Sequence, residues 1–508
     1  VRQALEGVPL ISFNLHNLLP GWSPEVSCFS SCLRSVMEYL GTTCDGSKLP
    51  RGDPGWHATY IYLMGASGEA YRFFFPTEGY RFVEGVRNMT ADPTEGIERA
   101  FCAAGLGCEI LLKSQGHSDE AEYRAKILRS IAEDHRPVLA FGVVGAPECC
   151  VITGFDEGGD VLLGWSFFQE EEKGKPGLEF EPSGYFRKRD WFEETEGIVL
   201  VGAPTKRPQV VDVLRESVAW GLRLQRTLGV GDAFTGLRAL DAWVDALEGG
   251  GVPAEKLPEA GSFFAGMLAE ARCWGNDFLG WCLDQIPSPS PSLGEVAECY
   301  RVIHDLVWCF WRTTEHWPGG DDRLKDPALR RELGRIARLI RYLDAEANAL
   351  LEKGLLEMGT PAREIPPLPE EVAHPEPIPS PERPRLRWRS GLKGFFEYPF
   401  GFVVQDAPSP DDWAAWCADR GLRSRSVELP AEGRAGPLEQ INTDVVLSTR
   451  AGIPVAAEYA GEPGLIVGYQ IWAREWLLKH PQADGELLRV PYSDPKLGDH
   501  YVFADLPG

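Results

Sequence analysis

The stretch RPVLAFGVVGAPECCVITGFDEGGDVLLGWSFFQ, Arg136–Gln169, decides the fold of this chain. It reads as three consecutive strands. Pro137–Val144 is apolar and rich in β-formers, Glu148–Phe155 repeats that character, and Val161–Phe168 follows the turn Asp156-Glu157-Gly158-Gly159-Asp160. Continuous apolar runs bounded by Gly and Pro predict strands buried on both faces. One carboxylate, Glu148, stands at the mouth of the middle strand beside Cys149 and Cys150.

Working outward, Gly197–Gly202 is a further apolar strand, and Thr94–Ala104 and Asp119–Glu133 read as helices around a short strand, Cys108–Leu112. Upstream lies SCFSSCLRSVMEYLG, Ser27–Gly41, in which Leu33, Val36, Met37 and Leu40 recur at helical spacing and Gly41 makes a suitable stop. Cys28 therefore falls at or just before the first turn. The free amides and dipole there favour an anion, so a thiol so placed leans towards thiolate. Cys28 and Cys32, four residues apart, would equally share a buried face and simply pack. Tyr60–Pro76 is expected to be a loop with small residues at 65–68 and then an aromatic strand; its GxSG lacks the strand–turn–helix setting of a nucleophile elbow. An early helix followed by strands with helices between them is an α+β pattern.

From 204 to 360 the chain predicts a bundle of about five helices, broken by Gly249-Gly250-Gly251 and by Pro287–Ser292. Its polar residues Arg272, Asn276, Asp277, His304, Asp305, Arg312, Glu315 and His316 lack the paired Glu-x-x-His of a di-metal bundle. Residues 361–386 are a proline-rich, acidic linker, expected to be semi-extended and mobile.

The last 120 or so residues, 387–508, echo the first domain in order. SGLKGFFEYPF (Ser390–Phe400) matches SGEAYRFFFP (Ser67–Pro76). DDWAAWCADRGLRSRSVEL (Asp411–Leu429) matches EGIERAFCAAGLGCEILL (Glu95–Leu112). GIPVAAEYAGEPGLIVGYQ (Gly452–Gln470) matches the opening stretch, with Glu462 level with Glu148. The expectation is a duplicated α+β unit around a helical insertion, the second copy lacking the Cys28 helix.

Composition narrows the function classes. A chain of 508 residues predicts two to four domains, and 44% hydrophobic with 25% charged residues is a globular balance. A net charge of −24 without a basic stripe argues against nucleic acid. No run reads as a bilayer span or a secretory leader. The twelve cysteines are scattered, none in a CxxC pair, so structural zinc is not expected and a reducing, cytoplasmic setting is. No cofactor motif is read.

Cys28-Phe29-Ser30-Ser31-Cys32-Leu33, the helix ending Glu38-Tyr39-Leu40-Gly41, and Pro137-Val138 before paired strands together resemble the papain-like bacteriocin-processing peptidases. More closely, residues 8–202 look like the N-terminal domain of the butirosin biosynthesis protein H family, acyltransferases that move an aminoacyl group from an acyl carrier protein to an aminoglycoside. The resemblance implies a papain-like α+β domain over 1–203, a helical domain after it, a small-molecule or peptide substrate, an acyl carrier protein as partner, and Cys28 as nucleophile. The family's histidine would begin the middle strand, where this chain has Glu148. Its Asp or Asn would end the next strand, near Gly164-Trp165-Ser166, where no carboxylate stands.

An imidazole beside a thiol activates it and later protonates the leaving group. A carboxylate is a weaker base towards a thiol, and its charge raises the thiol pKa, so Glu148 could serve as acid or base only if burial lifts its pKa towards 7. Failing that, His16 or His57 must help. Two functions follow: a thiol-dependent acyltransferase or amidohydrolase working through a Cys28 thioester, or an inactive papain-like module that binds a peptide, an amine or an acylated small molecule.

Overall fold

The computed structural model describes residues 3–4, 25–44, 56–76, 85–182, 184–248, 257–314, 324, 327–372, 401–403, 408–419, 423–428, 445, 454–470, 475–481, 487–491 and 496–505. Two compact units emerge: 1–304 with 337–373, and 305–336 with 374–508. Both contain antiparallel sheets, and the chain as a whole is a mixed α/β protein.

In the first unit, β1 (Gln3–Ala4), α1 (Cys28–Tyr39), α2 (Trp56–Ser67) and β2 (Phe74–Pro76) are followed by α3 (Glu95–Ala104), β3 (Leu106–Leu112) and α4 (Glu120–Ala132). The opening stretch supplies β4 (Val138–Phe141), β5 (Cys149–Asp156) and β6 (Val161–Ser166). Then come β7 (Leu178–Phe180), β8 (Phe186–Arg189), the short α5 (Trp191–Glu194) and β9 (Gly197–Pro204). The sheet runs β3-β9-β4-β5-β6-β8-β7, with β1 paired to the far end of β5.

Both faces of this sheet are covered, as the unbroken apolar runs predict. Val138, Ala140, Cys150 and Ile152 pack with Tyr123, Ile127 and Ile131 of α4. The alternate residues Leu139, Cys149, Val151 and Val199, which the pleat sends to the other face, are buried as well. The strands are shorter than the apolar runs, because Gly142 (φ +79) and Gly145 (φ +90) turn the chain away after Phe141. The strands β7 and β8 were not legible: Leu178–Phe180 and Phe186–Arg189 are short and charged, and form only because they extend an existing sheet edge.

Tyr60–Met64, expected as the start of a loop, lies within helix α2. The small residues serve packing there: a Cβ on Gly65 would lie 2.2 Å from the Phe278 ring, so glycine lets the two helices close. The strand that follows is only β2, which joins a small three-stranded sheet with β10 (Gly229–Val230) and β11 (Ala233–Thr235).

Among the described residues, 210–357 hold five helices, α6 (Val210–Arg226), α7 (Gly236–Glu248), α8 (Leu257–Leu283), α9 (Pro291–Thr314) and α10 (Pro327–Glu357). The start of the expected linker is docked. Arg226 donates to the Pro366 carbonyl and Val372 is buried, whereas the rest of the linker, 373–386, lies outside the described residues.

The second unit contains β12 (Gly401–Val403), α11 (Trp413–Asp419), β13 (Arg423–Glu428), β14 (Val455–Tyr459), β15 (Glu462–Gln470), β16 (Glu475–Lys479), β17 (Leu487–Pro491) and β18 (Leu497–Asp505). Its sheet runs β13-β18-β14-β15-β16-β17, with β12 paired to the far end of β15. Strand for strand, this order follows that of the first sheet from β3 to β6. The registers agree too. Val138 faces Ile152 as Val455 faces Ile466, and β5 and β15 each carry a register shift one residue later, before Gly154 and Gly468.

Among the described residues no helix is long and apolar enough to cross a membrane. Among the described residues no disulfide joins two cysteines.

Candidate functional site at the head of helix α1

Cys28 is the first residue of α1, preceded by Ser27 in extended conformation at the N-cap. Every residue from Cys28 to Met37 is buried, so α1 runs through the interior rather than along a surface. It ends as the sequence predicts, with Gly41 at φ +67. Cys28 is 5% exposed and its Sγ lies 3.8 Å from the Val26 carbonyl oxygen. One turn on, the Cys32 thiol donates to the Cys149 carbonyl at 3.4 Å, which ties α1 to the first residue of β5. Burial drives the Cys150 thiol far above its ordinary range, with Cys32 adding to the shift, so that thiol is packing material.

Ser27 does not cap α1 with its side chain. The two residues that lead into α1 are held instead by Glu270, on α8, more than two hundred residues away. Glu270 Oε1 accepts from the backbone nitrogens of Val26 and Ser27, each at 3.1 Å. Tyr60 on α2 completes the arrangement: its hydroxyl donates to the same oxygen of Glu270 and accepts from Ser27 N at 3.0 Å. Burial, then Glu270, raises the Tyr60 phenol well above its usual range, so it stays a donor. Burial also lifts the Glu270 carboxyl to about 7, against the lowering effect of Tyr60, the two amides and Arg72.

Two buried carboxylates, Glu69 and Glu25, join the half-buried Glu270 at the helix start. Glu69 accepts from Ser27 Oγ, from Ser30 Oγ at 2.5 Å and from Ser67 Oγ at 3.2 Å, with Arg72 Nη1 at 3.9 Å. Glu25 accepts from Ser31 Oγ at 2.7 Å and pairs with Arg34, whose Nη1 reaches Glu38 at 2.8 Å. Ser67 is therefore spent on Glu69. The turn that carries Glu69 is pinned from α8: Arg272 Nη1 donates to the carbonyls of Ala70 at 3.1 Å and Arg72 at 3.4 Å, and the same guanidinium is held by Asp344.

Glu148 stands just before β5 and is half-buried. Its carbonyl accepts from Gly142 N at 3.2 Å, closing the β4–β5 loop. Glu462 occupies the matching place, paired with Tyr459, but is exposed at a two-residue turn, Ala460-Gly461, with φ of +54 and +82. The end of β6 and the residue just after β16 each carry a clasp. Ser166 Oγ donates to the Val144 carbonyl at 2.9 Å, and His480 Nε2 lies 3.1 Å from the Tyr459 carbonyl oxygen. His57 lies in the first turn of α2, the helix that carries Tyr60, but its side chain is outside the described residues, as is the whole of His16.

Sequence reasoning missed Glu270. One signal was available: Glu270, Trp274, Phe278 and Trp281 recur at helical spacing, and the last three pack on Tyr60, Gly65 and Tyr62. A lone glutamate in an aromatic stripe marks a carboxyl aimed at a helix interface. Among the described residues no group of His, Cys, Asp and Glu could hold a metal ion. No family model matches the chain, and no curated protein matches it.

Proposed function

We propose that residues 1–203 are a papain-like scaffold and that the chain transfers or hydrolyses acyl groups through a thioester on Cys28. The observation that carries this reading is the placement of Cys28. It begins a buried helix that leans on the first residue of β5, and the two residues before it are held by a carboxyl that titrates near neutrality. In the proposed reaction the Cys28 thiolate attacks an acyl carbonyl. The C–S bond forms, the bond to the donor's leaving group breaks, and that group takes up a proton. An amine then attacks the thioester, a C–N bond replaces C–S, and the amine's proton is released; water in place of the amine gives hydrolysis. A small amine or peptide acceptor and a carrier-bound acyl donor fit this chemistry.

The second reading, an inactive binding module, draws on the charges around the same helix. Glu25, Glu69 and Glu270 stand at its head, and each negative charge makes a thiolate costlier. Iodoacetamide labelling of Cys28, read by peptide mass spectrometry near pH 7, separates the two. The enzyme reading expects labelling faster than an exposed cysteine in a peptide, and Cys28→Ala to abolish turnover. Slower labelling supports the binding module.

We also propose that 387–508 is a degenerate copy of the first sheet. Shared strand order, shared register and the shared shift before Gly154 and Gly468 support this. The first copy differs by a longer β4–β5 loop, 143–147, where the second has only Ala460-Gly461.

A further inference from the structure

Resting on the thiol reading above, we infer that Glu270 is an electrostatic gate on Cys28: its charged form holds the thiol protonated and its neutral form releases that restraint. The geometry carries this. Glu270 Oε1 is fixed from three directions, by Val26 N, Ser27 N and the Tyr60 hydroxyl, directly beside the residue whose thiol it would influence. Cys28 Sγ in turn contacts the Val26 carbonyl, so thiol and carboxyl flank the same short segment.

The titratable and charged groups that act on Glu270 or on its partner Tyr60 come from each neighbouring element. Glu25 precedes α1 and is matched by Arg34; Tyr60 projects from α2; Glu69 and Arg72 come from the turn after α2. On α8 itself, Arg272 is committed to Asp344. Arg72 is the cation that acts on Glu270, and it is shared with Glu69. The gate would operate around neutrality, where burial places the Glu270 carboxyl at about 7. The thiol meets the carbonyl of the Val26–Ser27 peptide and the carboxyl meets its amide, so across that one peptide each charge opposes the other.

Glu270→Gln tests this with little disturbance, since a glutamine Oε1 can still accept from both amides. The readout is the rate of Cys28 alkylation by iodoacetamide from pH 5.5 to 9, in the full chain, for both proteins. At pH 5.5 wild type and variant should react alike, because Glu270 is then neutral. By pH 8 the variant should be about tenfold faster, one pKa unit of relieved repulsion. Tyr60→Phe offers a second handle: loss of its hydrogen bond raises the Glu270 pKa, so the point at which Glu270→Gln on this background begins to outpace its parent should move to higher pH. A rate ratio that stays flat with pH, or an onset that Tyr60→Phe leaves in place, overturns the gate while leaving the thiol reading standing. Cys28 inert at every pH in both proteins overturns both.

Discussion

Arg272 and Asp344, both fully buried, meet in a two-pronged ion pair, with Nε and Nη2 each 2.8 Å from a carboxylate oxygen. The pair does more than join α8 to α10, because the remaining guanidinium nitrogen holds the turn that presents Glu69 to α1. A polar contact within the helical region thus sets the position of a carboxylate at the candidate site.

Removing one partner should strand the other charge in the interior. Asp344→Ala is expected to lower stability by about 3–5 kcal/mol, measured by urea denaturation. Replacing both by apolar residues of similar size should cost much less. A loss under about 1 kcal/mol for the single variant would mean that water or another group compensates the buried guanidinium.

Close approach of α2 and α8 rests on Gly65. Gly65→Ala places a methyl 2.2 Å from the Phe278 ring and should destabilise the first unit by roughly 1–3 kcal/mol. Adding Phe278→Leu, which shrinks the opposing side chain, should recover part of that loss in the same melts. No recovery would show that the helices cannot readjust.

Glu270 makes stability depend on pH in a defined direction. Its folded pKa, about 7, lies above the roughly 4.3 of an unfolded glutamate, so the folded state binds the extra proton between those values. Stability should therefore fall as pH rises from about 4.5 to 7, by at most about 4 kcal/mol from this residue, and level off above. Glu270→Gln should remove that slope. Parallel stability–pH curves for the two proteins would contradict it.

The clasps at Ser166 and His480 predict matching local effects. Ser166→Ala leaves the Val144 carbonyl without its hydroxyl donor and should cost about 1 kcal/mol. In the second sheet, His480→Ala should speed hydrogen exchange in the β14–β15 hairpin, beside Tyr459. Unchanged exchange there would argue that the tight Ala460-Gly461 turn alone holds the hairpin.

How much was legible follows from what each feature depends on. Helices α1, α3 and α4 announce themselves through apolar spacing with Gly41, Gly105 and Asp119 at their ends, since caps and periodicity are local properties. The three strands of Arg136–Gln169, and their echo at Gly452–Gln470, were likewise readable. β7 and β8 were not, because their residues become strands only beside β6.

The sequence by itself determined that Cys28 stands at the start of an apolar helix, that Arg136–Gln169 holds three consecutive strands, and that a similar series recurs after the helices. Those follow from period, turn chemistry and order along the chain. Only tertiary structure decided what surrounds Cys28. Glu270, distant in sequence, reaches the amides before Cys28, and the backbone carbonyl of Glu148 accepts from Gly142 N. The physical reason is that a carboxyl's ionisation depends on burial and on donors brought by other elements, here Tyr60 and the head of α1, and neither is written in the residues beside it.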